Sequence, residues 1–375
     1  MDGMEEVWER GNLQDLEQEV IFNGTCCFCG ACGAFCPEYI FYEEEIPRTR
    51  QKCYEIFGAC YDFCPRTFLP VFEIERKIFG SVREDKLLGF YRSVCMARAK
   101  DEEILAISQD GGVVSALLIF MLERGLADAA VVARKCGDWG VEPSVATKRE
   151  EVLEAAGSKY TQCPSLLGFG SALREGYEKI AFVGLPCHVQ ALRKVQLSPF
   201  FDFNKASERI SIVIGLLCTE TFDSTLLFKK LSNKGISPSE VKKFDIKRGK
   251  FIAVLRSGER FEIPVKEMAD VERSACSFCY DFAAELADIS VGGVGSPDGF
   301  STVIVRSERG EKLLSDAEEA GFIECRELSA EKIEEVRKNA LRKKRRNLKK
   351  IQKKAESLKI LNLLVKLEDL ERLLI

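Results

Sequence analysis

The middle of the chain alternates short apolar runs with longer segments that carry apolar residues at helical spacing. The short runs have the length and composition of buried strands and lie at 129–134, 179–184 and 209–217. The longer segments predict helices at 112–124, near 148–156 and at 188–195. Strands that alternate with helices are typical of a sheet with helices packed on its faces. This pattern therefore predicts an α/β core.

The two ends of the chain differ from this core. Residues 1–75 are rich in cysteine, and their end runs into a charged connector, FEIERKIFGSVREDK. Residues 329–375 are helical in composition, with leucines and isoleucines at helical spacing toward the end. We therefore predict three units: a cysteine-rich unit at 1–75, the α/β domain at 76–328 and a helical tail at 329–375.

The tail contains a basic stretch, LRKKRRNLKKIQKK at 341–354, which leads into the amphipathic segment LKILNLLVKLEDLERLLI. Such a helix can dock on a partner protein or on an anionic membrane surface. The alternative is a solvated, charged helix that packs back on its own chain. The sequence leaves both interpretations open. No aromatic or zinc-finger context accompanies the basic residues, so we do not interpret this stretch as a nucleic-acid arm.

Composition argues against several classes of protein. The formal net charge of −4 argues against a nucleic-acid binder, and a hydrophobic content of 46% supplies a core. No run reaches the roughly 18 to 20 consecutive apolar residues that a membrane-spanning helix needs. The first residues, MDGMEEVWERGN, are acidic and lack the basic-then-apolar pattern of a secretory signal. We therefore expect a cytoplasmic protein.

Cysteine is the residue that carries candidate chemistry. The chain has 16 cysteines and a single histidine, His188. Half of the cysteines lie between Cys26 and Cys64, and the others are spread from Cys95 to Cys325. Clustered cysteines in a cytoplasmic protein ligate metal more often than they form disulfides. Zinc sites often use histidine, so its scarcity favours ligation by thiolates alone.

The first cysteine run, CCFCGACGAFCP at 26–37, has the spacing of a bacterial ferredoxin. The C-x2-C-x2-C-x3-C-P pattern is formed by Cys26, Cys29, Cys32, Cys36 and Pro37. In ferredoxins the first three thiolates hold one cubane cluster, and the fourth ligates a second cluster. Small residues between the cysteines let the backbone turn tightly around the cluster.

A second run, QKCYEIFGACYDFCP, contains Cys53 and repeats the C-x3-C-P ending with Cys60 and Cys64. By the ferredoxin rule Cys64 completes the first cluster, and Cys36 joins Cys53 and Cys60 at the second. The N-terminal unit is therefore predicted to be a module with two [4Fe–4S] clusters. A pair of structural zinc sites is the alternative, although zinc ribbons use paired C-x2-C motifs instead.

The second run departs from the ferredoxin pattern at one position. Phe57 stands where a middle cysteine is expected, three residues before Cys60. Cys53 can substitute from further away, or else the second cluster has three cysteines and holds three irons. Cys27 is an additional thiol and a candidate fourth ligand. The sequence leaves the second cluster undecided between four and three irons.

Four cysteines in the core suggest a third cluster. Cys187 and Cys218 each follow a predicted strand, while Cys276 and Cys279 form a C-x2-C pair. The ends of parallel strands meet at one edge of a sheet, so the four thiols converge if the pair folds over that edge. The alternative is that Cys187 and Cys218 are small buried apolar residues, as free cysteines often are. Spacing alone does not decide between these interpretations, because only the C-x2-C pair is a ligand signature.

Glycine-rich corners in the core are candidate sites for a flavin or a phosphate, since backbone N–H groups are accessible there. None is a G-x-G-x-x-G or Walker fingerprint, and such corners are usually only turns. The sequence therefore gives no support for an ordinary nicotinamide site. The candidate cofactor-binding residues at these corners are Gln109, Gly111, Gly112, Ser158, Lys159, Tyr160, Gly184, Pro186, Gly292, Gly293 and Gly295.

Five segments, taken together, resemble the beta-subunit family of coenzyme F420 hydrogenases and dehydrogenases. They are QDGGVVSALL, GSKYTQCPSL, VGLPCHVQALRK, IGLLCTE and CSFCYDFAAELADISVGGVGSPDG. Several blocks in the same order are more specific than any single motif. The resemblance implies an α/β flavin-binding core between the N-terminal bacterial-type ferredoxin module and the C-terminal helical tail.

The resemblance also implies cofactors. The family has FAD, which exchanges hydride with the deazaflavin coenzyme F420, and a [4Fe–4S] cluster in this domain. Carried over residue by residue, the family's cysteines fall on Cys187, Cys218, Cys276 and Cys279, which favours the third cluster. Coenzyme F420 delivers hydride and a cluster accepts one electron at a time, so a flavin belongs between them. The implied route runs from the coenzyme through FAD and the core cluster to the ferredoxin module, and no acid–base residue is named.

Among family members, a chain with both parts most resembles the electron-input subunit of the archaeal F420 dehydrogenase, an F420:quinone or F420:methanophenazine oxidoreductase. That implies partner subunits in a redox complex and a peripheral position on the cytoplasmic face of a membrane. Other members serve hydrogenases, formate dehydrogenases, sulfite reductases or glutamate synthases. A ferredoxin-dependent F420 reductase and a non-catalytic electron-wire protein without flavin stay open as alternatives.

Overall fold

The core of the protein is an eight-stranded mixed sheet, seen in a computed structural model that describes residues 10–137 and 139–358. The strands, in chain order, are β1 (Ile40–Glu43), β2 (Ile46–Thr49), β3 (Ser93–Ala99), β4 (Ala129–Cys136), β5 (Gly140–Ala146), β6 (Ile180–Gly184), β7 (Ile210–Leu216), β8 (Val241–Lys247), β9 (Lys250–Leu255), β10 (Arg260–Pro264), β11 (Ile289–Gly292), β12 (Ser301–Val305) and β13 (Ile323–Glu327). The helices are α1 (Leu13–Leu16), α2 (Ala31–Phe35), α3 (Ala59–Asp62), α4 (Val71–Phe79), α5 (Glu102–Ile107), α6 (Val113–Glu123), α7 (Arg149–Glu154), α8 (Ser165–Arg174), α9 (Pro186–Leu197), α10 (Ser224–Asn233), α11 (Glu308–Glu319) and α12 (Ala330–Leu358).

The strand order of the large sheet is β13-β3-β12-β11-β7-β6-β4-β5. Its four neighbouring strands β11, β7, β6 and β4 run parallel, and the remaining pairs are antiparallel. The strands and helices predicted from the periodicity of the core appear as β4, β6, β7, α6, α7 and α9, within two residues at most ends. The α/β core is therefore confirmed, with antiparallel strands added at both edges of the sheet.

Helices cover both faces of this sheet, which explains the continuous apolar runs of the central strands. Successive side chains of a strand point to opposite faces. Ala181 of β6 thus packs with α6 on one face, while Ile180 and Phe182 pack with α8 and α9 on the other. Helix α6 is buried along most of its length because its sequence is apolar all round.

The cysteine-rich N-terminal unit is packed firmly on the core. It contains the β1–β2 hairpin, and its helix α2 lies against α8. The approach is close, because a Cβ added at Gly30 would lie 2.7 Å from the carbonyl oxygen of Pro164. The Leu166 amide also donates a 2.9 Å hydrogen bond to the carbonyl oxygen of Cys29. The unit is therefore a continuous part of the molecule.

The charged connector after this unit is more ordered than its composition suggests. Helix α4 begins within it, and the Glu75 side chain of this helix is fully buried. Arg83 forms ion pairs with Glu75 and, across the molecule, with Glu285. These buried pairs fix the connector against the core.

Two further elements of the structure are a small antiparallel sheet, with the strand order β10-β9-β8, and the long helix α12. Helix α12 packs back on its own chain, with Val336 and Ala340 in a cluster that includes Leu88, Phe282 and Ile304. The end of the predicted amphipathic tail, residues 359–375, lies outside the described residues. Within the described ranges, no helix has both the length and the apolar character that crossing a bilayer demands.

Candidate functional site

The carboxyl ends of β6, β7 and β11 form the edge at which the candidate site lies. Since β6 and β7 are parallel neighbours, the residues that follow them emerge side by side. Cys187 is the second residue of α9, immediately beyond β6, and Cys218 follows β7. The two strand-end cysteines therefore lie at the same edge, as the sequence predicted.

The C-x2-C pair folds over this edge. Cys276 and Cys279 lie on and just after a short 3-10 helix (Ser274–Phe278). Together with Cys187 and Cys218 they line one cavity, whose wall also includes Cys27, Arg66, Gln162, Thr221 and Lys343. The backbone amide of Thr221 points at the sulfur of Cys276, at 3.4 Å. We refer to this group of four cysteines as the core thiol site.

Buried thiols in this cavity are poor acids without a metal. Burial raises the pKa of Cys218 to about 12. Burial also raises the pKa of Cys276, although hydrogen bonds from Thr221 oppose that effect. A metal ligand must be a thiolate, so occupation of the site by iron requires these protons to leave.

Two cations from distant parts of the chain reach the core thiol site. Arg66, at the end of the second cysteine run, is 2% exposed and donates a 2.9 Å hydrogen bond to the carbonyl oxygen of Phe278. Lys343 of α12 is 3% exposed and donates to the carbonyl oxygens of Cys218 and Asp281, at 2.7 and 2.8 Å. Neither residue was predicted from the sequence, although Arg66 directly follows the second cysteine run and Lys343 lies within the basic stretch of the tail.

A second cavity lies in the N-terminal unit. It is lined by the four cysteines that the ferredoxin rule assigns to the first cluster: Cys26, Cys29, Cys32 and Cys64. Burial raises the pKa of Cys64 to about 12 and that of Cys32 to about 11. The Tyr42 hydroxyl lies 3.1 Å from the sulfur of Cys32, a contact that spacing did not reveal. We refer to these four cysteines as the first thiol group.

The remaining N-terminal cysteines form a looser group. Cys36, Cys53 and Cys60 belong to one apolar cluster, in which Cys60 is buried and the other two are partly buried. Phe57 does not take the place of a ligand here. Its ring stacks on Phe201 at a centroid distance of 5.2 Å and meets Phe200 edge-on at 5.0 Å. We refer to Cys36, Cys53 and Cys60 as the second thiol group.

Cys27 lies between the core thiol site and the first thiol group. It lines both cavities, one together with Cys29 and the other together with Cys187. Cys27 therefore lies beside the first thiol group and the core thiol site, and the structure does not bring it together with the second thiol group as a fourth ligand. The distance between the two cavities is therefore spanned by a single side chain.

At most of the glycines that were predicted to contact a flavin, the space beside the Cα atom is already occupied by other atoms of the protein. A Cβ at Gly111 would lie 2.6 Å from the carbonyl oxygen of Ala97, and one at Gly293 would lie 2.5 Å from a carboxylate oxygen of Asp110. The same crowding, with a protein atom under 3.0 Å from the added Cβ, occurs at Gly112, Gly184, Gly292 and Gly295. These glycines are needed for close packing, so they do not by themselves form an open cradle.

Polar side chains near these corners are better candidates for cofactor contacts. Gln109 donates a 2.7 Å hydrogen bond from its side chain to Asp245 of β8, while its amide oxygen is buried without a partner among the described residues. Lys247 lies 3.9 Å from Asp110. Burial raises the pKa of Tyr160, and Asp245 and Asp110 add to that effect.

Three other nominated residues have local structural roles or adjoin the thiols. The Ser158 side chain is hydrogen-bonded to Tyr160. Lys159 donates to the carbonyl oxygens of Ala156 and Gly157 just beyond α7, each at 2.9 Å, and burial lowers the pKa of Lys159 to about 8. Pro186 is the first residue of α9 and lines the cavity of the core thiol site.

The donor set of both cavities fits an iron–sulfur cluster, which is held by four thiolates. At the core thiol site, Arg66 Nε and Gln162 Oε1 are buried and have no hydrogen-bond partner in the described part of the chain. Across residues 10–137 and 139–358, no three His, Cys, Asp or Glu side chains are arranged to hold a single metal ion. That finding concerns mononuclear sites, whereas a cluster distributes its thiolates over several irons.

Two sequence profiles match the core of the chain. The coenzyme F420 hydrogenase/dehydrogenase beta subunit N-term profile covers residues 94–167, and the corresponding C-terminus profile covers residues 177–331. The chain belongs to the coenzyme F420 hydrogenase/dehydrogenase beta-subunit family. The resemblance carried by the five sequence segments is therefore confirmed.

Individual members of this family match over long stretches. The coenzyme F420 hydrogenase subunit beta of Methanothermobacter thermautotrophicus is 38% identical over 70% of this chain and 98% of its own length. One of the subunits of the F(420)H(2) dehydrogenase of Methanosarcina mazei is 34% identical over 79% of this chain and 83% of its own. A chain of the solved F420-reducing [NiFe] hydrogenase complex from Methanosarcina barkeri matches with a TM-score of 0.70 and 34% identity, covering 72% of this chain and 94% of that one.

Proposed function

We propose that this member of the beta-subunit family oxidises reduced coenzyme F420 and passes the electrons to a partner complex. The observation that carries the proposal is the family membership, combined with two cavities that are each lined by four cysteines of their own and share Cys27. When bound, FAD would supply hydride exchange with the coenzyme, and [4Fe–4S] clusters would supply single-electron transfer. The roles below follow from the chain's own residues.

The core thiol site would hold one cluster. Its proposed ligands are Cys187, Cys218, Cys276 and Cys279, and three of the four are less than a tenth exposed. Burial of this kind excludes water and lowers the local dielectric constant, which strengthens charge interactions at the site. Arg66 and Lys343 then supply buried positive charge beside four anionic thiolates.

The N-terminal unit would connect the core to the partner. The first thiol group adjoins the core through Cys27, which supports an electron path between the two sites. Cys36 and Cys53 of the second thiol group are partly exposed. We therefore propose that the partner docks beside the second thiol group, on the side of the molecule where thiols approach the solvent.

The coenzyme and flavin would bind at the polar corner near β8. Gln109 is the best candidate for a contact with the cofactor. Its buried amide oxygen is a hydrogen-bond acceptor without a partner among the described residues, and its hydrogen bond to Asp245 fixes the orientation of the side chain. Tyr160, Asp110 and Lys247 complete the polar surroundings. The glycines at this corner would allow the protein segments to pack closely and would not contact a phosphate group.

For the partner, we propose a membrane complex that reduces a quinone or methanophenazine, with this chain on the cytoplasmic face. A hydrogenase, a formate dehydrogenase or a ferredoxin-dependent F420 reductase are the alternatives within the same chemistry. Copurification of the native complex identifies the partner directly. Assays started with reduced coenzyme in one arm and reduced ferredoxin in the other distinguish the direction of electron flow.

The proposal is tested with purified chain that is replete with flavin and iron. Reduced coenzyme F420 and a viologen dye are added, and dye reduction is followed by absorbance. The proposal expects steady reduction that requires the coenzyme, and its absence in replete protein would contradict it. An electron-wire protein of another class predicts no bound flavin, so one FAD per chain excludes that alternative.

A further inference from the structure

Helix α12 lies across the core thiol site and holds the backbone of three of its four cysteines. Asn347 donates hydrogen bonds to the carbonyl oxygens of Cys276 and Cys279, at 3.0 and 2.7 Å. One turn earlier, Lys343 donates to the carbonyl oxygen of Cys218. Residues four apart lie on the same face of a helix, so a single face of α12 makes all three contacts.

The two neighbouring lysines of this helix have different partners. Lys344 forms an ion pair with the carboxylate of Glu285 at 2.8 Å, and Glu285 also pairs with Arg83. Lys343 donates instead to two carbonyl oxygens and lines the cavity that the four thiols share. The thiols of Cys218, Cys276 and Cys279 line the same cavity as its side chain, and these thiols and the carboxyl of Asp281 favour the charged form of its ammonium.

Burying an ammonium group is unfavourable unless opposite charge or hydrogen bonds compensate for the lost hydration. Carbonyl oxygens compensate only in part. A cluster held by four thiolates is anionic, and its reduction adds another negative charge. A fixed cation in a site of low dielectric constant therefore stabilises the reduced state more than the oxidised state.

Resting on the cluster of the proposed function, we infer that α12 sets the properties of the core thiol site. Lys343 raises the reduction potential of the core cluster through its charge, and Asn347 holds the loop of the C-x2-C pair in place. The basic stretch of the tail thus has an internal role at these positions. Lys343 and Asn347 are positioning residues, since neither is a ligand.

The test compares holo-protein variants by redox titration of the core cluster, monitored by EPR. Lys343→Gln keeps a hydrogen-bond donor and loses the charge, while Lys343→Arg keeps the charge. In Lys343→Gln we expect the equilibrium constant for reduction of the core cluster to fall about tenfold. For a one-electron couple this lowers the reduction potential by about 59 mV. Lys343→Arg and the matched control Lys349→Met, an exposed lysine of the same helix, should stay close to the wild type.

Equal potentials in Lys343→Gln, Lys343→Arg and wild type would overturn the charge role. Asn347→Leu tests the other half of the inference, because it should release core iron faster on dilution into a chelator while Lys349→Met does not. Equal rates of iron release from both variants would contradict the inference that Asn347 holds the loop of the C-x2-C pair. If wild-type protein holds no cluster at the core thiol site, the proposed function itself fails, and that result is distinct from equal potentials.

Discussion

Cys27 lines the same cavity as Cys187, and this proximity joins the N-terminal unit to the core thiol site. Cys27 is surplus to the four cysteines of each cavity. We therefore expect Cys27→Ala to keep its full iron content and to slow electron passage from the core to the N-terminal clusters. Iron analysis and freeze-quenched EPR after mixing with reduced coenzyme check the two parts separately. Loss of a whole cluster in Cys27→Ala would make Cys27 a ligand and contradict this expectation.

The core thiol site predicts a selective loss of iron. Cys276→Ala should remove the core cluster and leave the N-terminal clusters in place, because the first and second thiol groups use other cysteines. Cys163→Ala is the matched control, since Cys163 is buried and does not line either cavity. Iron and sulfide analysis, with EPR, measures the outcome. Equal iron in the two variants would rule out the assignment of Cys276.

The second thiol group predicts a three-iron centre in oxidised protein. It has three cysteines, Cys27 faces the core, and the ring of Phe57 packs against Phe200 and Phe201. EPR of the oxidised protein, combined with iron counting, should reveal this centre. A four-iron centre at this position would contradict the expectation and would require a ligand other than cysteine.

Phe57 itself is expected to contribute to stability. Phe57→Leu removes two aromatic contacts, each of which is worth roughly 0.5–1.5 kcal/mol beyond the area that it buries. We expect a free energy of unfolding lower by about 1 kcal/mol, with unchanged iron content. Thermal unfolding of anaerobic holo-protein, beside iron analysis, measures both quantities. Iron loss without a change in stability would indicate that Phe57 supports the cluster directly.

The polar corner predicts an effect on coenzyme oxidation without an effect on iron. Gln109→Leu removes the unpaired amide oxygen and the contact to Asp245, and with them the group that we propose faces the flavin or the coenzyme. We expect dye reduction by reduced coenzyme to fall about tenfold or more, the effect of one lost charge-assisted hydrogen bond. Gln162→Leu, at the core thiol site, should instead leave coenzyme binding unchanged. A wild-type rate in Gln109→Leu would exclude Gln109 from the site.

Sequence patterns predicted the parts of the site that are local in the chain. The strands β4, β6 and β7 were readable because buried parallel strands are continuously apolar, and Cys187 and Cys218 follow strands that run side by side. Arg66 and Lys343 were not readable as site residues, since their role depends on contacts between segments far apart in sequence. The glycines were predicted to contact a cofactor, whereas at Gly111 the close approach of the backbone of Ala97 and Ser301 already requires glycine. Helix α4 was missed because its charges suggested a connector, although one of them, Glu75, forms a buried ion pair with Arg83.

The central claim is that electrons from reduced coenzyme F420 reach the core thiol site of this chain. The most direct measurement mixes anaerobic, oxidised protein, replete with flavin and iron, with one equivalent of reduced coenzyme and records EPR spectra of rapidly frozen samples. We predict that a reduced-cluster signal appears in wild-type protein and that its core component is missing in Cys276→Ala. Oxidation of the coenzyme without any cluster signal, or no oxidation at all, would contradict the account.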